Sequence, residues 1–199
     1  AALGGKNLPW WITGAAMFTL IVIVGSQMAQ RGGPSEATPA PAQSGGNSQT
    51  GSPPDLSTMT PVEAADRLFN RVMTAVSAGD SIEAQQFMPM AIGAYERARP
   101  LNSDGLFHLS MLQRTAMQFE AALATAEEIL EVNSAHLLGL SAAANAAIEL
   151  GRSDIAKTYY ERVLEVYESQ IEEDVPEYID HAPITDKLRD EANAFLIGR

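Results

Sequence analysis

Three histidines, His108, His136 and His181, and a run of carboxylates are the residues of this 199-residue chain whose chemistry could reach beyond packing. Imidazoles ligate transition ions and move protons near neutral pH, but they need partners at fixed spacing to do either. None of the three falls in an HExxH or other ligand-pair spacing, so each reads as a lone helical histidine held for structure. Between Glu165 and Asp180 there are seven acidic residues and no Lys or Arg. Glu172, Glu173, Asp174 and Asp180 could in principle meet a calcium ion. Their spacing matches no EF-hand loop, however, and Pro176 and Pro183 interrupt the run, so it reads as a solvated surface.

The absences narrow the chemistry further. With no cysteine there is no thiolate nucleophile and no CxxCH attachment site for haem. No Gly-rich phosphate loop and no nucleophile-elbow serine occurs, and doublets such as Glu127-Glu128 are ordinary helix-surface residues. The sequence therefore assigns no catalytic residue, no cofactor-binding residue and no metal ligand, and a non-enzymatic protein is expected. A net charge of -12 makes nucleic acid and an anionic lipid surface poor partners, and would attract a basic soluble protein such as a cationic electron carrier.

The elements that would carry a binding surface fall into three segments: an anchor over 1–31, a linker over 32–58 and a helical domain over 59–199. From Trp10 to Ala29 the chain is uncharged and mostly apolar. About twenty helical residues at roughly 1.5 Å rise span roughly 30 Å, the thickness of a hydrocarbon core. Asn7 can cap this helix, Pro9 suits its first turn, and Trp10 and Trp11 are the amphipathic kind that settle at a membrane interface. Gly14, with Ala15 and Ala16, offers a small-residue face for a neighbouring membrane helix. A cleaved secretory signal is the competing reading, since Lys6 precedes an apolar core, but small residues are poorly placed for cleavage around Gln27 and Ala29.

Lys6 and the terminal amine lie before the span, Arg31 just after it, and no further Lys or Arg occurs until Arg67. This bias favours a cytoplasmic N-terminus, which in a bacterium would put the C-terminal domain in the periplasm and the chain in the inner membrane as a single-pass protein. Lack of cysteine suits an oxidising compartment. The linker holds five Pro, five Gly and almost no large apolar side chain, so it cannot build a core. It reads as a flexible tether on the order of 30 Å long, or as a segment that becomes ordered across a partner.

From Thr60 onward the apolar residues recur at helical spacing with no strand signal, which makes the class all-α. Helices are expected near 61–78, 81–99, 103–117, 119–132, 135–150, 153–169 and 184–197. Thr60-Pro61-Val62-Glu63 is a capping box, Asp80 and Glu83 repeat the arrangement, and Ser134 and Ser153 offer similar caps. A repeat appears at a step of 34 residues: Leu106, Leu109, Ser110, Ala122 and Leu130 map onto Leu140, Ala143, Ala144, Ala156 and Leu164.

This pattern resembles the tetratricopeptide repeat. One unit supplies Leu140, Ala144, Gly151, Ala156 and Tyr160; the unit before it supplies Leu106, Ser110 and Ala122, with Met117 where Gly is expected and Ala126 where an aromatic is expected. The first supplies Leu68, Val72, Gly79, Asp80 and Ala84, after which four extra residues, Pro89 and Pro100 break the register. The resemblance implies about three helix pairs over 60–168 and a C-terminal helix capping the last pair; an unrelated antiparallel bundle is the other architecture such short links produce. It also implies a protein-binding groove lined by the first helices, here Phe69, Met73, Phe107, Met111, Ser141 and Asn145, with Arg114 nearby. The family's clamp for a terminal carboxylate needs several cations, and only Arg114 is close, so the groove would suit an apolar or amphipathic segment. The same side chains could instead pack into the repeat core.

Two roles fit this organisation. One is an accessory subunit stabilising a larger bacterial membrane complex, respiratory or photosynthetic, with other protein subunits and membrane lipid as partners. The other is a periplasmic assembly factor or chaperone, resembling the anchored tetratricopeptide proteins of cytochrome c maturation or export.

Overall fold

A computed structural model describes residues 59–198, which fall within one compact unit, Pro53–Arg199. The expected anchor, with Trp10, Trp11 and Gly14, and the linker over 32–58 lie outside the described residues. Among the described residues no helix is long and apolar enough to cross a membrane.

All regular structure in the described residues is helical: α1 (Pro61–Ala78), α2 (Ser81–Ala98), α3 (Ser103–Thr115), α4 (Phe119–Val132), α5 (Leu137–Glu149), α6 (Ser153–Ile171), α7 (Pro176–Asp180) and α8 (Ala182–Ile197). The starts follow from local chemistry. Thr60 and Glu63 close the capping box in both directions, at 2.7 and 3.2 Å, which satisfies two backbone donors that the first turn leaves free. Asp80 accepts from the Glu83 amide and Asn102 from the Gly105 amide, both at 3.0 Å. Two expected caps are not used. α5 begins at His136 rather than Ser134, with His136 Nδ1 accepting from the Gly139 amide at 3.3 Å, and α6 begins beside Arg152, with no side-chain cap. α7 was not expected; its Pro176 supplies the fixed φ of a first helical turn inside what reads as a plain acidic run.

Helices α1 to α6 form three hairpins, α1–α2, α3–α4 and α5–α6, and each turns in the same way. Gly79, Met117 and Gly151 occupy the left-handed region at φ 73°, 59° and 69°. At each, the residue's own amide donates three residues back and the next amide donates five back: Asp80 to Ala75 O, Gln118 to Gln113 O and Arg152 to Ala147 O, all at 2.8 Å. That double bond pattern is a Schellman turn, and the step from Met117 to Gly151 has the spacing of the sequence repeat, whereas the step from Gly79 to Met117 is four residues longer. The first unit departs from the others by the length of its first helix, since α1 has 18 residues against 13 in α3 and in α5, and α2 runs on through Pro89.

The small residues that the three repeat units share, Ala84, Ala122 and Ala156, are buried. At the middle one the Ser110 hydroxyl crosses from α3 to donate to the Ala122 carbonyl at 2.9 Å. Two apolar clusters result, and α3 belongs to both. Leu109 and Leu112 pack with Phe69, Val72, Ala91 and Tyr95 of the first hairpin, whereas Leu106 and Phe107 pack with α4, α5 and α6. α5 is buried on nearly every face, as its run of Leu, Ala and Gly requires.

Beyond α6 the chain turns back across the repeats. Tyr178 of α7 accepts a hydrogen bond from the Leu137 amide at 2.9 Å, satisfying a free donor at the start of α5. α8 then packs on α6 and α5, and the Tyr167 hydroxyl donates to the Thr185 carbonyl at 3.0 Å. The C-terminal helix therefore lies against the first helix of the last pair as well as the second.

Candidate functional site

The groove residues separate into two sets. Phe107, Met111 and Arg114 from α3 and Ser141 and Asn145 from α5 line one cavity of about 310 Å³. Its remaining wall comes from α8, through Pro183, Ile184, Lys187 and Glu191. Phe69 and Met73 are not part of this cavity; Phe69 is buried in the first-hairpin cluster and Met73 packs against it. The cavity is consequently more polar than a Phe/Met stripe would make it, and Lys187 joins Arg114 as a second cation on its wall. Burial raises the Glu191 carboxyl above its usual range, against the pull of Lys187. A second groove of about 530 Å³, which sequence reasoning missed, lies between α2 and the α3–α4 turn and is mostly apolar, with Met88, Ile92 and the exposed Met117 on its walls.

At the edge of the first groove the structure joins two of the histidines. His181, at the α7–α8 junction, places Nε2 at 3.2 Å from His108 Nε2 and 3.0 Å from Asp104 Oδ1. Asp104 Oδ1 is 3.6 Å from His108 Nε2, one helical turn further along α3. The reading of three lone histidines is thus corrected for this pair: 73 residues separate them in sequence, and only the return of the C-terminal segment closes the gap. His136 stays apart, with Glu177 3.4 Å from its Nε2.

Behind this triangle lies a second layer. Tyr95 donates its one hydroxyl proton to Asp66 Oδ1 at 2.5 Å, so its oxygen is free to accept from His108 Nδ1 at 3.0 Å; Asp66 Oδ1 also lies 3.3 Å from that nitrogen. The proton of His108 therefore sits on Nδ1, and Nε2 turns a bare lone pair toward His181 and Asp104. The Phe69 ring stacks on the His108 imidazole at 4.0 Å between centroids, and the Phe107 ring meets His181 edge-on at 4.9 Å. Burial pushes the His108 pKa down, with Asp104 opposing, while the hydrogen bond from His181 holds the Asp104 carboxyl below its ordinary value. Burial and Asp66 raise the Tyr95 hydroxyl.

Asp104, His108 and His181 are the group among the described residues whose ligand atoms converge closely enough to hold one metal ion. No sequence signal pointed to them, because the Asp104–His108 spacing on α3 is a common helical one and its third member lies in a separate element. No known protein-family profile matches the chain, and no curated protein matches it in sequence.

Proposed function

We propose that this chain is a non-enzymatic, membrane-anchored accessory subunit whose tetratricopeptide-like domain binds another protein on the periplasmic side of a bacterial inner-membrane complex. The observation that carries this reading is the groove. Side chains from the first helices of two successive hairpins, Phe107, Met111, Arg114, Ser141 and Asn145, share one concave surface. Surfaces of that kind receive an extended or helical segment of a partner. The repeated left-handed turns at Gly79, Met117 and Gly151 support the repeat architecture on which the comparison with tetratricopeptide domains rests.

The make-up of the wall refines the partner. Apolar contacts from the half-buried Met111 and Ile184 stand beside the cations of Arg114 and Lys187, which suits a segment carrying both an apolar side chain and a carboxylate. The respiratory or photosynthetic setting belongs to the same proposal and rests only on the expected anchor, its orientation and the acidic charge of the chain. Gentle detergent extraction of native membranes, recovery through a C-terminal tag and mass spectrometry of the sized complex test this. A partner recovered at a fixed ratio, and lost on Arg114→Ala with Met111→Ala, is the expected result. Recovery of the chain alone, or with scattered exported proteins below stoichiometry, overturns the subunit role and favours an assembly factor.

A further inference from the structure

We propose that Asp104, His108 and His181 form a binding site for one divalent transition-metal ion of the zinc class. Four-coordinate zinc takes nitrogen and oxygen ligands at about 2.0–2.2 Å, which places neighbouring ligand atoms about 3.3 Å apart. The three edges here are 3.0, 3.2 and 3.6 Å, so the atoms already form one triangular face of such a tetrahedron. A point about 2 Å from all three lies somewhat out of their plane, leaving the fourth position to water. On binding, the ion displaces the Nε2 proton that His181 gives to Asp104, which moves to the ring's own Nδ1 or to solvent.

Ligand chemistry selects the class of ion. Two imidazoles and one carboxylate suit zinc, cobalt and their neighbours, whereas calcium and magnesium take oxygen ligands. The second layer is built for the same purpose. With Nδ1–H of His108 held by Tyr95 and Asp66, the ring is fixed in the tautomer and orientation that present Nε2 as a ligand, the carboxylate–histidine arrangement that supports metal sites. Phe69 and Phe107 limit ring rotation and water access from two sides. His108 is almost fully buried, so its Nε2 faces these two groups and little solvent.

The ion would join α3 to the α7–α8 junction, with its outer support drawn from α1 and α2. Its position makes it a staple that holds the C-terminal helix against the groove, separate from whichever partner the groove receives. The site stands or falls independently of the proposed subunit role.

The test uses the full chain in detergent, without a polyhistidine tag, stripped with a chelator and titrated with Co2+ and then Zn2+. The expected result is one Co2+ per chain with the intense visible bands of tetrahedral coordination, displaced by one Zn2+, and a rise in melting temperature with Zn2+. Asp104→Asn and His181→Ala should each weaken Zn2+ binding by more than about 100-fold, and Asp66→Asn, which removes outer support alone, by about 10–100-fold. His136→Asn should bind as the parent does. Circular dichroism establishes which variants fold, and the titration of the parent chain decides the question without any of them. Absence of stoichiometric binding overturns the proposal, as does binding that survives in folded Asp104→Asn and His181→Ala, which would place the ion on exposed acidic residues.

Discussion

Met117→Gly isolates the cost of putting a side chain in a left-handed hairpin turn. Met117 holds φ 59° at the position that Gly79 and Gly151 fill in the other two hairpins. A non-glycine residue pays about 1–2 kcal/mol there because its Cβ crowds the following carbonyl. Replacing it with Gly removes that strain, but the unfolded chain gains freedom that returns roughly 0.4–1 kcal/mol. Met117 is 76% exposed, so little buried area is lost with its side chain. The net expectation is a stabilisation of about 0.5–1 kcal/mol, or roughly 2–4 °C in melting temperature for a helical domain of this size.

The mirror substitution checks the same physics with the opposite sign. A Cβ built on Gly151 meets no atom within 4 Å beyond its chain neighbours, so Gly151→Ala carries the local backbone penalty and no clash with the rest of the fold. It should destabilise by a similar amount. Urea unfolding of the full chain in detergent, followed by far-ultraviolet circular dichroism, reads both as shifts of midpoint at constant slope. A Met117→Gly midpoint at or below that of the parent, or a Gly151→Ala midpoint unchanged, would refute the reasoning and mean that the turn's geometry is set by contacts of the side chain.

Further expectations follow from packing, capping and titration. Gly139→Ala drives a Cβ to 2.9 Å from Ile129 Cγ2 and 3.0 Å from Leu130 Cδ2, and should cost about 1–3 kcal/mol in the same unfolding assay; a neutral result would mean α4 yields freely. Thr60→Ala removes the reciprocal cap at the start of α1 and should cost about 1 kcal/mol, read as faster amide exchange in the first turn as well as a lower midpoint. Burial lowers the His136 pKa from its ordinary 6.5, against the opposing pull of Glu177 and Asp104. The unfolded chain therefore takes up the proton first. The stability contributed by neutral His136 is present above about pH 6.5 and is lost as pH falls from there through the lower folded-state pKa. His136→Asn, which keeps a capping acceptor, should flatten that part of the profile, and an unaltered slope between the two proteins would count against it.

Local signals made the hairpins legible. Thr60 and Asp80 cap helices within three residues of themselves, whereas the cap at Asn102 emerged only in the structure; the 34-residue step follows from small residues repeated at matching positions. Met117 departs from the repeat pattern in sequence yet adopts the pattern's backbone, because the hydrogen bonds of the turn outweigh the preference of one residue. What the sequence hid was long-range. Phe69 and Phe107 sit at groove positions by helical spacing, yet both are buried, since α3 carries two cores at once. The His108–His181 pair and the α8 wall depend on a chain reversal after α6, and the acidic run that accomplishes it carries only Pro176 and Tyr178 as hints.

That reversal also orders events in time. The hairpins close through neighbours in sequence, so each can form as soon as its second helix is free to fold. The bonds from Tyr178 to Leu137 and from His181 to His108 and Asp104 span 41, 73 and 77 residues. Contacts so far apart pay their loop-closure entropy late, and they complete the groove only after the repeats that form its other walls are in place. A nascent or C-terminally trimmed chain thus displays an open groove to passing polypeptides, whereas the finished chain displays a narrowed one.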